Sequence, residues 1–149
     1  MKEFTIIYPI FSPLQLLDEN GRLVGEIFSN AIAGVNEKIK IGDEIFKINR
    51  TGFLWQDFKI FDRNKKLILK SDVSKNRLIY FGNDIEIFTY KSKGWFSSKL
   101  NLYKTSNLLV SIWTKGFLKH QYKMEIENEF KNYLIILAFL NEYINSQSS

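Results

Sequence analysis

Alternating apolar and polar positions dominate most of the chain before residue 127. The clearest case is the segment HQYKMEIEN, in which Tyr122, Met124 and Ile126 share one face of a strand while polar residues occupy the other. Similar apolar-rich segments recur roughly every eight to twelve residues and are separated by turn residues. This pattern predicts an antiparallel all-β domain, either a sandwich or a barrel.

A strand-turn-strand unit repeats within this pattern, and each copy predicts a β-hairpin. The turn chemistry is local: Asn20-Gly21 suits positive φ angles, and the Asp18 and Asp62 carboxylates can accept hydrogen bonds from the backbone that follows them. The copies are about forty residues apart and share little internal identity, which favours a closed structure over a solenoid. The units are LQLLDENGRLVGEI (14–27), FKIFDRNKKLILKS (58–71) and LNLYKTSNLLVSIW (100–113).

The segment NYLIILAFLNEYI near the C-terminus has a different pattern, because Tyr133 to Leu140 are apolar without interruption. Such a run covers the whole circumference of a helix, so the helix must be enclosed on every side. A bilayer span needs about 20 mainly apolar residues, and this run is shorter and is flanked by Asn132 and Asn141. The segment therefore predicts a helix buried in a protein core.

Together these patterns predict a mainly β protein in which a closed antiparallel β-barrel surrounds the C-terminal helix. A helix that is apolar all round is one of the few ways to fill a large barrel. We expect one domain over residues 1–145, followed by a short polar tail over residues 146–149. The helix side chains expected to meet the barrel lining are Leu134, Ile135, Leu137, Ala138 and Leu140.

The serial strand, D-x-N-x-[K/R]-L, strand hairpins, the late YKMEIEN strand and the terminal YLIILAFLNEYI helix resemble the tubby C-terminal-like superfamily. That superfamily includes tubby domains, phospholipid scramblases and the plant LURP-one-related proteins. The resemblance implies about twelve strands around a central hydrophobic helix. It also implies a relation to membranes, because tubby domains bind phosphoinositide headgroups. The cysteine-rich and proline-rich stretches of scramblases are missing from this sequence, and no phosphoinositide-binding residue can be carried over.

Composition excludes several functions. With no cysteine in 149 residues, disulfides, thiolate metal sites and cysteine nucleophiles are excluded. His120 is the single histidine and lies in a strand-like segment between Lys119 and Gln121. A multi-histidine metal site is therefore excluded, and a catalytic triad is disfavoured. No glycine-rich phosphate loop is present. We therefore expect a non-enzymatic, monomeric protein without a cofactor or metal, and the N-terminus has no signal-peptide pattern, which predicts a cytoplasmic protein that can associate peripherally with membranes.

Charge provides the main indication of a partner. The net charge of +5 permits an anionic one. In YKSKGWFSSKL, lysines flank two aromatic residues, a combination suited to anionic phospholipid or phosphoinositide headgroups. The predicted ligand-binding residues are Lys91, Lys93, Trp95, Phe96 and Lys99.

Other interpretations remain open. The segment INRTGFLWQDFK has a similar mixture, with Arg50, Trp55 and Lys59. Aromatic residues in such loops can instead fold back over a barrel end, and strand lysines often serve solubility. The alternative function is a protein-interaction or scaffold module, whereas nucleic-acid binding is disfavoured because no reading motif is present.

Overall fold

The computed structural model describes residues 1–9, 13–29, 37–92, 99–114 and 122–147, with the side chain of residue 147 left out. Over these residues the chain forms twelve β-strands, two short 3-10 helices and one α-helix. The strands are β1 (Lys2–Ile7), β2 (Leu14–Leu17), β3 (Leu23–Phe28), β4 (Lys38–Ile41), β5 (Glu44–Thr51), β6 (Asp57–Phe61), β7 (Leu67–Asp72), β8 (Arg77–Phe81), β9 (Ile85–Ser92), β10 (Leu100–Lys104), β11 (Asn107–Thr114) and β12 (Tyr122–Ile126). The 3-10 helices are Phe53–Trp55 and Val73–Lys75, and the α-helix is α1 (Tyr133–Gln147).

The strands form a closed barrel in which each strand is antiparallel to its neighbours in the sequence. Closure occurs between β1 and β12, where Phe4 lies opposite Met124, and both side chains are buried. A closed barrel has no free sheet edge at which another chain could pair. The predicted fold class, including the number of strands implied by the resemblance, is confirmed.

The three predicted hairpins are present as β2–β3, β6–β7 and β10–β11. In the first, Asp18 Oδ1 accepts hydrogen bonds from the backbone N–H groups two and four residues later, each at 2.9 Å. Asp62 Oδ1 accepts the equivalent bonds in the second hairpin, at 2.8 and 2.9 Å. Gly21 and Lys65 occupy the same left-handed position, with φ of 79° and 64°. The carboxylates therefore fix both turns, as the sequence indicates.

Helix α1 lies inside the barrel. It begins after Asn132, whose side-chain oxygen accepts a hydrogen bond from the Ile135 N–H at 3.2 Å and so caps the helix. Every residue from Leu134 to Tyr143 is buried. The prediction of an enclosed helix is confirmed. The barrel residues around it that are fully buried include Leu16, Ile39, Phe58, Ile60, Leu69, Leu78, Phe88, Leu102 and Ile112.

Gly25 of β3 permits the closest approach between barrel and helix. A Cβ atom at this position would lie 2.5 Å from Leu137 Cδ1 and 2.9 Å from the Lys40 carbonyl oxygen. Neither neighbour can yield easily, because Leu137 is buried and the carbonyl belongs to the backbone of β4. The glycine is therefore needed for packing and not for a turn.

Antiparallel order gives the barrel two distinct ends. At one end, here named the base, the hairpins are closed by the short connections 18–22, 42–43, 62–66, 82–84 and 105–106. The odd-numbered strands finish at the opposite end, here named the mouth, where the described connections are residues 52–56 and 73–76. Helix α1 follows β12, enters from the base and ends at the mouth.

The division into a domain over residues 1–145 and a tail over residues 146–149 stays a prediction, although α1 continues to Gln147. None of the described helices is long and apolar enough to span a membrane.

Candidate functional site at the barrel mouth

The turn between β5 and β6 presents large apolar side chains to solvent. Phe53 is 84% exposed, and Leu54 and Trp55 are each 69% exposed. These residues are named the apolar tip. They are consecutive on one turn, whereas the exposed apolar residues of the base, such as Leu23 and Ile85, lie on separate strands. A contiguous exposed apolar group of this kind marks an interaction site more often than scattered single residues do.

The backbone of the apolar tip is strained. Leu54 and Trp55 both have φ of 57°, in the left-handed region that residues with a Cβ adopt at a cost of about 1–3 kcal/mol each. Gly52, with φ of 81°, precedes them, and a Cβ there would lie 3.1 Å from Asp57 Oδ2. In this conformation all three apolar side chains are exposed. Strain that is retained at an exposed apolar turn points to a functional role.

Lysines accompany the apolar tip at the mouth. Lys75 lies in the second 3-10 helix, Lys91 near the end of β9, and Lys99 just before β10. The Lys91 ammonium is 5.6 Å from the Tyr103 ring centroid, and the Lys99 ammonium is 4.8 Å from the Trp113 ring centroid. The contact with Trp113 holds the Lys99 ammonium near the rim of the barrel, whereas Tyr103 lies further along β10 towards the base.

Two carboxylates of the mouth are paired with arginines. Glu37 pairs with Arg50 and Asp72 with Arg77, each at 3.0 Å. A hydrogen bond from the Ser74 hydroxyl is the main cause that lowers the pKa of Asp72. Each of these two acids therefore has an arginine as its partner.

Asp57 at the start of β6 anchors the neighbouring turn. Its Oδ1 accepts hydrogen bonds from the Ser71 hydroxyl at 3.0 Å and from the Val73 N–H at 2.9 Å. Ser71 in turn accepts a hydrogen bond from the Phe58 N–H at 2.9 Å. The connections 52–56 and 73–76 are thus tied together beside the last turns of α1.

A pocket of about 470 Å³, here named the mouth pocket, opens between the apolar tip and the end of α1. One of the residues that line this pocket is Glu142, whose carboxyl-bearing side chain is buried and only 7% exposed. Burial raises the pKa of Glu142 to about 7, although the nearby Arg50 charge opposes the shift. The lining residues are Arg50, Leu54, Trp55, Gln56, Val73, Glu142, Asn145 and Ser146.

Buried polar groups lie behind this pocket. The Tyr90 hydroxyl is close to Glu142, and burial followed by the Glu142 charge raises the pKa of Tyr90. A second, smaller cavity of about 50 Å³ shares Arg50 and Asn145 with the mouth pocket and is also lined by Asn141. Among the described residues, neither Tyr90 Oη nor Asn141 Nδ2 has a partner in hydrogen-bonding geometry. The helix end at the mouth is therefore polar inside the barrel, in contrast to its apolar first turns.

The predicted site residues are only partly described. Lys91 and Lys99 lie at the mouth, on neighbouring strands and on the same end as the apolar tip. Lys93, Trp95 and Phe96 lie outside the described residues, as does His120. In the part of the chain that the structure describes, no group of His, Asp or Glu side chains could hold a metal ion.

Sequence reasoning noted Arg50 and Trp55 but missed Phe53, Leu54 and Glu142. The run GFLW offers a signal for the first two, because bulky residues that follow a glycine without alternating are not accounted for by a strand. Glu142 could be suspected because it lies two residues after the apolar run, on the same helix that must be enclosed.

Comparison with known proteins identifies the fold. No protein-family model matches the sequence, and no curated protein matches it. A closed barrel of twelve antiparallel strands around a central helix is the LURP-one-related, tubby-like fold. The resemblance proposed from the sequence is confirmed at the level of the fold. The X-ray structure of the Arabidopsis thaliana protein AT5G01750 matches with a TM-score of 0.59 and 11% identity, covering 98% of this chain and 91% of that one. At this identity the match shows the fold alone.

Proposed function

We propose that the mouth of the barrel binds the surface of membranes that contain anionic phospholipid, in a non-enzymatic role. The observation that supports this proposal is the exposed apolar tip on the same end as Lys75, Lys91 and Lys99. In this arrangement Phe53 and Trp55 insert at the depth of the headgroups, and the lysines contact anionic lipid.

The expected energies make such binding reversible. A fully buried large apolar side chain contributes about 1.5–3 kcal/mol, and each lysine near an anionic surface contributes about 1 kcal/mol. The lysine contribution weakens as salt increases, because ions screen charges beyond about 10 Å at 0.1 M. Binding should therefore require both anionic lipid and the apolar tip.

The predicted residues Lys93, Trp95 and Phe96 belong to the same proposal. They lie in the sequence between Lys91 and Lys99, which border the mouth. The double substitution Lys93→Ala with Trp95→Ala is expected to weaken vesicle binding without changing the far-UV circular dichroism spectrum.

Sedimentation with vesicles tests the proposal. Purified protein is mixed with phosphatidylcholine vesicles, with and without phosphatidylserine, at low and high salt. We expect sedimentation only with phosphatidylserine, and less of it at high salt. The double variant Phe53→Ser with Trp55→Ser should remain in the supernatant.

Matched controls come from the base of the same barrel. Leu23→Ser with Ile85→Ser removes two exposed apolar side chains of the base and should sediment like the wild type. Lys75→Ala with Lys91→Ala should weaken binding, whereas Lys65→Ala with Lys66→Ala in the base turn should not. If the base variants lose binding as much as the mouth variants, the proposal is wrong. Absence of vesicle binding under all conditions would favour the protein-interaction alternative.

A further inference from the structure

The mouth pocket has the dimensions of a small-molecule site. Its volume of about 470 Å³ lies within the roughly 300–1,000 Å³ that is usual for ligand pockets. One wall is apolar and is formed by Leu54, Trp55 and Val73, and the opposite wall is polar and is formed by the last turns of α1. Such a division suits a ligand that has an apolar body and one polar group.

The one cationic side chain in the described lining of the pocket already has a carboxylate partner. Arg50 of β5 is the cation in its wall, but its Nη2 and Nε donate to the Glu37 carboxylate at 3.0 and 3.4 Å. Among the described residues, Glu142 of α1 and the neighbouring Asp57 of β6 have no salt-bridge partner. The C-terminal end of α1 adds further negative partial charge. A cationic group would pair with Glu142, whereas an anion would meet this carboxyl group and the negative end of a helix.

Trp55 supplies a second feature that favours a cation. Trp55 lines the pocket together with residues of α1, and the face of an indole attracts ammonium groups more strongly than other aromatic rings do. A carboxylate together with an indole is an arrangement that recognises amines.

We propose that the mouth pocket binds a small organic cation, an ammonium group carried by a short apolar body. Glu142 is the counter-ion, Trp55 contacts the ammonium group, and Leu54 and Val73 cover the apolar body. Leu54 and Trp55 belong to both the pocket and the apolar tip, whereas Phe53 belongs to the tip alone, so Phe53 variants distinguish this binding from membrane binding.

Ligand binding of this kind depends on pH. The groups that face Glu142 are Arg50 from β5, Asp57 from β6 and the Tyr90 hydroxyl from β9. Burial raises the pKa of Glu142 to about 7, and an ammonium group would stabilise its ionised form. Affinity should therefore rise from pH 5.5 to pH 8 on the order of tenfold, and binding near pH 7 should release a proton.

Titration calorimetry with hexylammonium tests the proposal, with hexanoate and hexanol as probes of the same length. We expect hexylammonium to bind to the wild type, and its affinity for the Glu142→Gln variant to be lower by about tenfold or more. Hexanoate should bind to the wild type more weakly than hexylammonium does. Trp55→Ala should also weaken binding. Circular dichroism shows whether each variant is folded.

Control variants separate this site from the rest of the protein. Glu44→Gln in the base turn and Phe53→Ser in the apolar tip should bind hexylammonium like the wild type. Equal affinity of Glu142→Gln and the wild type, or tighter binding of hexanoate, would overturn the proposal. Loss of vesicle binding in Phe53→Ser with hexylammonium affinity retained would separate the two proposals.

An ammonium group can belong to a free amine or to a lipid headgroup. Vesicles of phosphatidylcholine alone, added to the hexylammonium titration, distinguish these sources. Competition by vesicles that Glu142→Gln abolishes would assign the pocket to a headgroup. Hexylammonium binding without such competition would assign it to a free amine, and absence of both would contradict a cation site.

Discussion

The base and the mouth close the same barrel in different ways. At the base, short hairpins are fixed by their own side chains, as in the turns that Asp18 and Asp62 organise. At the mouth, the turn 52–56 is strained, exposes Phe53 and Trp55, and overlies a pocket with the buried carboxyl of Glu142. The aspartate hydrogen bonds of the base stabilise the fold, whereas these features of the mouth reduce stability.

The features that cost stability are the reason to look for function at the mouth. Exposed aromatic area, left-handed residues with a Cβ and a buried ionisable group all cost free energy, and no packing need in the fold explains them. Proteins retain such costs mainly at sites of binding or chemistry. The mouth is thus the functional end of this barrel in our proposal, and the base serves as its internal control.

The largest effect should come from the core that both ends share. Leu137→Asp places a carboxylate beside Gly25, inside the barrel, and should cost more than about 4 kcal/mol, enough to prevent folding. Loss of the cooperative thermal transition in circular dichroism would show this. Leu23→Asp, at an exposed strand position, is the control and should fold. An unchanged melting temperature of Leu137→Asp would contradict the enclosed helix.

The next effect belongs to the mouth and depends on pH. The pKa of Glu142 is raised from its ordinary value of 4.5 to about 7, so the protonated carboxyl is favoured in the folded state. Stability should fall as pH rises from about 4.5 to about 7, by about 3 kcal/mol at most at 1.36 kcal/mol per pKa unit. Glu142→Gln should remove this loss in urea unfolding at pH 5 and pH 8. The same pH dependence in both proteins would contradict the assignment, and Glu44→Gln at the base is the control.

A smaller effect should come from the base turns. Asp62→Ala removes two hydrogen bonds to the backbone and should cost about 1–2 kcal/mol, seen as a lower melting temperature. Asp84→Ala is the matched control, because Asp84 lies in another base turn and its side chain makes no hydrogen bond to a described residue. Equal melting temperatures for the two variants would show that the carboxylate of Asp62 is not needed.

The smallest effect on stability should come from the apolar tip. Phe53→Ser changes a side chain that is 84% exposed, so the free energy of unfolding should stay within about 0.5 kcal/mol of the wild type. Phe58→Ala, five residues later but fully buried, should cost about 3–5 kcal/mol. A large loss in Phe53→Ser would mean that the tip has a structural role.

Much of the fold could be predicted because it is encoded locally. Alternation in β12, the Asp-centred turns and the uniformly apolar helix each determine a short segment, and enclosure of that helix requires a closed barrel. The count of strands came from the family resemblance and not from periodicity.

The mouth could not be predicted in the same way. Arg50, Asp57, Tyr90 and Glu142 come from β5, β6, β9 and α1, and only closure and register bring them together. Nor does the sequence specify that Leu54 and Trp55 adopt left-handed conformations, because most residues of their kind do not. Composition indicated basic and aromatic loops, but not which side chains are exposed.

The most direct test of the mouth as the functional end uses tryptophan fluorescence. Trp95→Phe with Trp113→Phe leaves Trp55 as the single tryptophan of the chain. With vesicles that contain phosphatidylserine and brominated phosphatidylcholine, we expect a blue shift and quenching of Trp55, both absent without phosphatidylserine. If this variant sediments with the vesicles while Trp55 emission is neither shifted nor quenched, the protein binds by another surface and the account of the mouth is wrong.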